Sequence, residues 1–161
     1  LRLRELPKPA VAIVQGSALA GGAGLAIACD LVLAAETAQL GYPEIRRGFV
    51  PAMVMTMLRR QLGERRAFEL VATGRSLSAR EALDAGLVSR VMPDLEFDSA
   101  VSAILAQLTA SSPSALALIK RLLYQLDGRT FEEGIALGAR INALARVHPD
   151  FKTAVAAFLR A

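Results

Sequence analysis

The sequence contains little of what disulfide-rich, membrane-spanning or secreted proteins depend on. Its 161 residues include one cysteine, Cys29, and no tryptophan. One cysteine cannot build a disulfide framework, and its apolar surroundings predict a small buried side chain. No apolar run reaches the roughly 18 residues of a membrane span, because charges or glycines interrupt each one. No charged and then apolar secretory leader is recognisable, so we expect a cytoplasmic protein with no membrane partner.

Aromatic residues are also scarce, at 5% of the chain, although the net charge is +4. The basic residues form no tract interleaved with aromatic ones, so we predict no nucleic-acid partner. The mild positive excess fits a phosphate-bearing ligand and fits a solvated surface equally well. Hydrophobic residues reach 53% and the mean hydropathy is +0.39. This surplus of apolar surface favours contacts with other subunits.

What the chain does contain is a strand followed by a cluster of glycines. Val11 to Val14 is a short apolar run rich in β-branched residues, which predicts a buried strand. Gly16 ends that strand, and small residues lead through Gly24 into a helix that includes Leu25. A helix that begins after glycines directs free N–H groups and a partial positive charge at one point. Such a point suits an anion or a developing oxyanion.

Three interpretations of these glycines compete. A phosphate-binding loop fits the separation of Gly16 and Gly21, but Gly22 and Ala23 stand where it needs lysine and a hydroxyl residue. A dinucleotide-binding loop needs a third glycine that does not follow Gly24. The third interpretation is that small residues let a helix pack closely on a strand. The glycines alone do not choose between them.

The wider pattern is more specific. Four motifs occur in order, Lys8-Pro9-Ala10-Val11-Ala12, Gly16-x-Ala18-x-x-Gly21-Gly22, Ala28-Cys29-Asp30 and Gly41-Tyr42-Pro43-Glu44. In this arrangement the chain resembles the crotonase superfamily, which includes enoyl-CoA hydratases and Δ3,Δ2-enoyl-CoA isomerases. The resemblance covers nearly the whole chain.

The resemblance implies an α/β fold with a crotonase-like spiral core of repeated ββα turns and a C-terminal helical region. Residues 1–95 would form the C-terminal part of the spiral core, and residues 96–161 a helical oligomerisation region that supports a homotrimer or a hexamer. Crotonase-like chains carry a further block before this point, with the first strands and the first oxyanion amide. We therefore expect the N-terminal part of the fold to be missing from this chain.

The resemblance also implies a site for an acyl-CoA thioester, with no metal and no cofactor beyond the coenzyme A of the substrate. Gly21 corresponds to the second oxyanion-hole donor, and Glu44 to a catalytic glutamate. The remaining substrate-binding positions are Ala18, Ala20, Gly22 and Gly24. Hydratases of this superfamily have a second glutamate at the position of Gly24, and glycine cannot transfer a proton.

The surroundings of Glu44 admit two interpretations. Proton transfer at carbon needs a carboxyl group whose pKa is raised toward neutrality, and an apolar pocket raises it by desolvation. Three neighbours could supply such a pocket, namely Leu40, Phe49 and Val50. In the other interpretation, Arg46 or Arg47 pairs with Glu44 and leaves it an ordinary surface carboxylate.

Together these residues predict an enoyl-CoA hydratase-like enzyme that uses one glutamate as acid and base. The alternatives are a Δ3,Δ2-enoyl-CoA isomerase, which needs only the glutamate at position 44, and a non-catalytic acyl-CoA-binding paralogue. Pro51-Ala52-Met53-Val54-Met55 replaces the Pro-Gly-x-Gly-Gly of many hydratases, which implies a bulkier wall of the acyl pocket. Lys120 matches a lysine of the family, but we expect it on a solvated helix face.

Periodicity and capping signals predict the remaining elements. Strands are expected at residues 31–35 and 87–91, and Ser78 with Glu81 forms the signature of a capping box. The predicted helices cover residues 51–62, 64–72, 100–110, 114–126, 131–147 and 149–159.

Overall fold

The computed structural model describes residues 2–160. Its strands are β1 Val11–Val14, β2 Ser17–Leu19, β3 Leu31–Ala35, β4 Gln39–Gly41, β5 Ser76–Ser78 and β6 Arg90–Met92. Its α-helices are α1 Arg2–Glu5, α2 Gly21–Ile27, α3 Ala52–Leu62, α4 Glu64–Thr73, α5 Ala79–Asp84, α6 Phe97–Thr109, α7 Pro113–Gln125, α8 Phe131–Val147 and α9 Pro149–Phe158. Two short 3-10 helices cover Pro43–Arg47 and Asp94–Glu96.

The chain divides into two compact units. One unit is Ala10–Ile104, and the other consists of the described residues of Leu1–Pro9 and Leu105–Ala161. The predicted division after residue 95 stays a prediction. Within residues 2–160, no single helix is long and apolar enough to cross a membrane. One pair of segments, Asp94–Thr109 and Pro113–Gln125, is long and apolar enough only when both are counted as one span. The chain bends sharply between them.

The Ala10–Ile104 unit contains two small sheets. In the first, β3 lies between β1 and β6, and both pairings are parallel. In the second, β4 pairs in parallel with β2 and antiparallel with β5. Among the first four strands, those that follow each other in sequence lie in different sheets. β1 and β3 belong to the first sheet, and β2 and β4 belong to the second. A helix follows each successive pair, α2 after β2 and the Pro43–Arg47 3-10 helix after β4, so the unit repeats a ββα turn.

The sequence of β3 explains its central position. Four of its five residues are buried, as expected for a parallel strand that is covered on both faces. The Asp30 carboxylate accepts a hydrogen bond of 2.6 Å from the backbone N–H of Ala10, which ties the start of β3 to the start of β1. On the other side, the Ser89 hydroxyl accepts a hydrogen bond from the N–H of Val32.

Most predicted elements are confirmed, and the differences concern short segments. Ser17–Leu19 belongs to the small residues that are predicted to lead from the first strand into the helix, but it forms β2, and no sequence signal predicts β5. Both strands have three residues and are too short to show an alternating pattern. The strand expected from Leu87 begins instead at Arg90, because the N–H groups of Leu87 and Val88 donate to the carbonyl of Ala82 and close the end of α5.

The capping box at the start of α5 is confirmed in both directions. The Ser78 hydroxyl accepts from the N–H of Glu81, and the Glu81 carboxylate accepts from the N–H of Ser78 at 2.8 Å. Reciprocal bonds of this kind satisfy donors that would otherwise lack partners at a helix N-terminus.

The prediction for Lys120 is wrong. Its side chain is buried, with 5% of its surface exposed, and its ammonium group donates a 2.9 Å hydrogen bond to the carbonyl of Lys8. The Lys120 side chain is buried because its acceptor, the carbonyl of Lys8, lies in the segment before β1 and not in helix α7. Helical periodicity alone could not reveal such an acceptor.

A carboxylate links the N-termini of helices α7 and α9. Asp150, in the first turn of α9, accepts hydrogen bonds of 2.7 Å from the hydroxyls of Ser114 and Ser112 at the start of α7. These bonds favour the charged form, so they lower the pKa of Asp150 below its ordinary value. Ionised Asp150 therefore stabilises this pair of helices.

We expect Asp150→Asn to lower the thermal stability of the protein near neutral pH. A lowered folded-state pKa contributes stability above the unfolded-state pKa, and that contribution is lost as the pH falls. The difference in Tm between wild type and variant should be full above about pH 5 and should shrink progressively below about pH 4. Thermal unfolding followed by circular dichroism from pH 7 to pH 3 measures it. A Tm difference that stayed constant across this range would contradict the assignment.

Candidate active site

The predicted oxyanion donor, Gly21, lies at the first position of α2. The first helical hydrogen bond runs from the N–H of Gly24 to the carbonyl of Ala20, at 2.9 Å. The N–H groups of Gly21 and Gly22 precede that bond, so the helix offers them no carbonyl acceptor. Both glycines are exposed, and a Cβ atom built on either would meet no protein atom within 4 Å. This end of α2 is therefore open to a ligand.

Ala20 has a backbone conformation that alanine rarely adopts. Its φ is 52° and its ψ is −121°, and it is the one non-glycine residue with positive φ among residues 2–160. Its N–H donates to the carbonyl of Gly41 at 2.8 Å, which fixes this turn to the end of β4. Strained residues of this kind cluster at functional sites, where the surrounding structure holds them in place.

We expect Ala20→Gly to raise the free energy of unfolding by about 1 kcal/mol or leave it unchanged, because glycine adopts this conformation without a Cβ clash. Denaturant unfolding of the full-length protein measures the change. Ala23→Gly is the matched control, since Ala23 is buried inside α2 and glycine there should cost about 1 kcal/mol. If both variants were destabilised equally, Ala20 would not be strained.

The topology brings Gly21 and Glu44 to the same edge of the second sheet. β2 and β4 are parallel, with Leu19 opposite Gly41, so their carboxyl ends point the same way. Gly21 follows the end of β2, and Glu44 follows the end of β4 as the second residue of the 3-10 helix. Carboxyl ends of parallel strands are a common place for ligands in α/β folds.

Glu44 is half-buried, and one oxygen of its carboxylate has no visible partner. Its Oε2 atom is buried and accepts no hydrogen bond from residues 2–160. Arg46 and Arg47 are exposed, and neither forms an ion pair with Glu44 within that range. The interpretation of Glu44 as a paired surface carboxylate is therefore wrong for the described part of the chain.

The apolar pocket expected around Glu44 is formed only in part. Leu40 is fully buried, but 68% of the Phe49 side chain and 60% of Val50 are exposed. Gly48, with a φ of 68°, ends the 3-10 helix in the left-handed region and turns the chain away. Phe49 and Val50 are thus mostly exposed in the described part of the chain, and their contribution to a pocket around Glu44 stays a prediction.

Tyr42 is a residue of this site that the sequence reasoning missed. Its side chain is completely buried, and its hydroxyl has no hydrogen-bond partner among residues 2–160. Burial raises the pKa of that hydroxyl, and the nearby charge of Glu44 raises it further. The sequence signal that could have indicated Tyr42 as a site residue is its position two residues before Glu44. Two buried polar groups without partners lie close together here, which is unusual outside functional sites.

The four predicted substrate-binding residues lie in different places, and one of them, Ala20, is the residue of unusual backbone conformation directly before α2. Ala18 and Gly22 line a groove of about 470 Å³ that runs along β1 and α2. Gly24 is buried beneath Val54 and does not line this groove. Cys29 also lines it and is half-buried, so the prediction of a buried cysteine is wrong. The predicted roles of Gly21, Glu44 and the four binding residues stay predictions.

Within residues 2–160, no three histidine, cysteine, aspartate or glutamate side chains come together as a metal-binding group. The single histidine, His148, caps α9 by accepting a hydrogen bond from the N–H of Asp150.

Known proteins are similar to this chain in sequence. The model of the enoyl-CoA hydratase/isomerase family matches residues 1–160. The chain belongs to this family. A Thermus thermophilus protein described as "Putative enoyl-CoA hydratase" is 45% identical over 157 residues, which cover 98% of this chain and 62% of that protein. The 2,3-dehydroadipyl-CoA hydratase of Escherichia coli is 36% identical over 161 residues, covering 99% of this chain and 63% of that protein.

Solved structures of family members have the same fold. An enoyl-CoA hydratase of Mycobacterium smegmatis superposes with a TM-score of 0.93 at 31% identity, covering 98% of this chain and 62% of that one. Human enoyl Coenzyme A hydratase domain-containing protein 3 gives a TM-score of 0.94 at 26% identity, covering 99% and 63%. The predicted crotonase-like α/β fold is therefore confirmed. The chain spans about 62% of the length of the Thermus relative.

Proposed function

We propose that the protein is an enoyl-CoA hydratase-like enzyme that acts on an acyl-CoA thioester in fatty acid metabolism. One observation carries the proposal. The open N-terminus of α2 at Gly21 and the unpartnered carboxylate oxygen of Glu44 lie at the same edge of the second sheet. The names of the relatives support hydration as the first choice.

The chemistry assigns a role to each group. The N–H of Gly21 donates to the thioester carbonyl oxygen and stabilises the negative charge that develops there, as one half of an oxyanion hole. In hydration, Glu44 takes a proton from a water molecule while the oxygen of that water adds to C3 of the enoyl thioester. Glu44 then gives that proton to C2, and the double bond is consumed. A single carboxyl group thus serves as base and acid in turn.

Isomerisation is the second candidate, and the absence of a side chain at Gly24 favours it. Glu44 would remove a proton from C2 of a 3-enoyl thioester and return it to C4, which moves the double bond to C2–C3. This reaction needs one carboxyl group and no activated water.

The proposal extends to the assembly and its surroundings. We infer a cytoplasmic homotrimer, or a hexamer of two trimers, that needs neither a metal nor a cofactor beyond the substrate's coenzyme A. Large apolar side chains exposed on α7, α8 and α9 support association, among them Leu123, Ile135 and Phe158.

The test uses the full-length protein and the ultraviolet absorbance of the conjugated enoyl thioester. Falling absorbance with a short trans-2-enoyl-CoA supports the hydratase. Rising absorbance with a 3-enoyl-CoA, and none lost with the 2-enoyl-CoA, supports the isomerase. Calorimetric titration with an acyl-CoA provides the control. Binding without turnover of either substrate would contradict both enzymes and favour a non-catalytic acyl-CoA-binding protein.

A further inference from the structure

Helix α3 packs against α2 through one of its faces. Leu58 is completely buried, and Val54 packs against the core one turn before it. One turn after Leu58, the Gln61 side chain donates a 3.2 Å hydrogen bond to the carbonyl of Ile27 at the end of α2. This spacing of three and four residues places the three side chains on one face of α3. The contact fixes the position of α3 along α2.

Val54 fills the space beside Gly24. A Cβ atom built on Gly24 would lie 2.7 Å from Cγ2 of Val54, a distance that real Cβ contacts do not show. The same point lies 3.8 Å from Cγ1 and 3.9 Å from Cβ of Val54, which are ordinary van der Waals distances. One methyl group of Val54 therefore accounts for the whole obstruction. An alanine at position 54 would remove it and keep the Cβ contact.

The obstruction is confined to one side of α2. Gly21 and Gly22, three and two residues earlier, would each accept a Cβ without meeting any protein atom within 4 Å. The first turn of α2 is thus open at the proposed oxyanion donor and closed at Gly24, one turn further along.

We propose that Val54 is a specificity-determining residue of the site, because its Cγ2 methyl excludes any side chain at position 24. Among the described residues, Glu44 is then the carboxyl group that lies at the proposed site. Val54 thereby keeps out of position 24 a second carboxyl group, which could hold the water in hydration, whereas double-bond migration needs one carboxyl group. This inference rests on the proposed function, since it concerns the chemistry of the same site.

The steric part is tested by a double-mutant cycle on the full-length protein, with Tm as the readout. We expect Gly24→Ala to lower Tm by about 3–6 °C in the wild-type background, because the added Cβ overpacks against Val54. In the Val54→Ala background, the same change should leave Tm equal or higher. Gly22→Ala is the matched control and should not lower Tm. Equal losses from Gly24→Ala in both backgrounds would overturn the proposal.

The chemical part uses the ratio of the hydration rate to the isomerisation rate. We expect Gly24→Glu with Val54→Ala to raise this ratio about 10- to 100-fold, because a second carboxyl group can then assist the water. Gly24→Glu alone should lower Tm strongly, because its Cβ meets the Cγ2 methyl of Val54. A folded double variant with an unchanged ratio would overturn the proposal. If wild type turned over neither substrate while the Tm cycle still showed coupling, the proposed function would fail and the steric assignment of Val54 would stand.

Discussion

Glu44→Gln should reduce kcat by about 10²–10⁴-fold, the usual contribution of a general acid and base. Glutamine has nearly the same shape but cannot carry the transferred proton. KM should change little, because the proton transfer that is lost stabilises the transition state and not the bound substrate. The unpartnered Oε2 atom of Glu44 leads to a second expectation, that Tm is unchanged or rises when the buried charge is removed. Steady-state kinetics and thermal unfolding of the same preparation measure both effects.

The matched control is Glu64→Gln. Glu64 is exposed and forms an ion pair with Arg59 at 2.6 Å, so its loss should have little effect on kcat. If Glu44→Gln kept more than about a tenth of the wild-type kcat, Glu44 would not be the acid and base of the reaction.

Gly21→Val should lower kcat/KM by about 10²–10³-fold, the usual result of losing one oxyanion donor. The valine side chain would enter the open space in front of the Gly21 N–H and hold the thioester oxygen beyond hydrogen-bond distance. The fold should tolerate it, because a Cβ at Gly21 meets no protein atom within 4 Å. Kinetics with the better of the two enoyl-CoA substrates, with Tm measured in parallel, gives the result.

Gly138→Ala is the control for this experiment. Gly138 lies in α8, and its added Cβ also meets no protein atom within 4 Å. Alanine there should stabilise the helix by up to about 1 kcal/mol and leave kcat/KM unchanged. Full activity in Gly21→Val with an unchanged Tm would exclude the N–H of Gly21 as the oxyanion donor.

Local sequence signals predicted the long elements well. Helix α8 has the predicted bounds of residues 131–147, and β1 and β3 match their apolar runs. The capping box of Ser78 and Glu81 could also be predicted, because its two residues lie within one turn of the chain. The signals failed where a partner is distant in sequence. Lys120 is buried because it reaches Lys8, and no pattern within α7 contains that information.

In the candidate site, too, sequence signals predicted the individual residues but not the contacts between residues that are distant in the chain. The motif resemblance identified Gly21 and Glu44, and the pairing of β2 with β4 brings them to one edge. The missing side chain at Gly24 could be noticed in the sequence, but its cause could not. Val54 is 30 positions away in the chain, and only the packing of α3 on α2 brings the two residues together. The residue types at positions 20 and 42 also do not predict the backbone strain of Ala20 or the burial of the Tyr42 hydroxyl.

The two sheets also determine how these residues behave when prepared by themselves. Within residues 2–160, β1 pairs only with β3, and β2 pairs only with β4. Each strand therefore leaves one edge of backbone donors and acceptors unpaired, and Val11–Leu19 contains no charged side chain to discourage new partners. Such an edge accepts any extended segment, including the same segment of another copy. We therefore expect a preparation of residues 1–161 alone to be prone to edge-to-edge aggregation through β1 and β2.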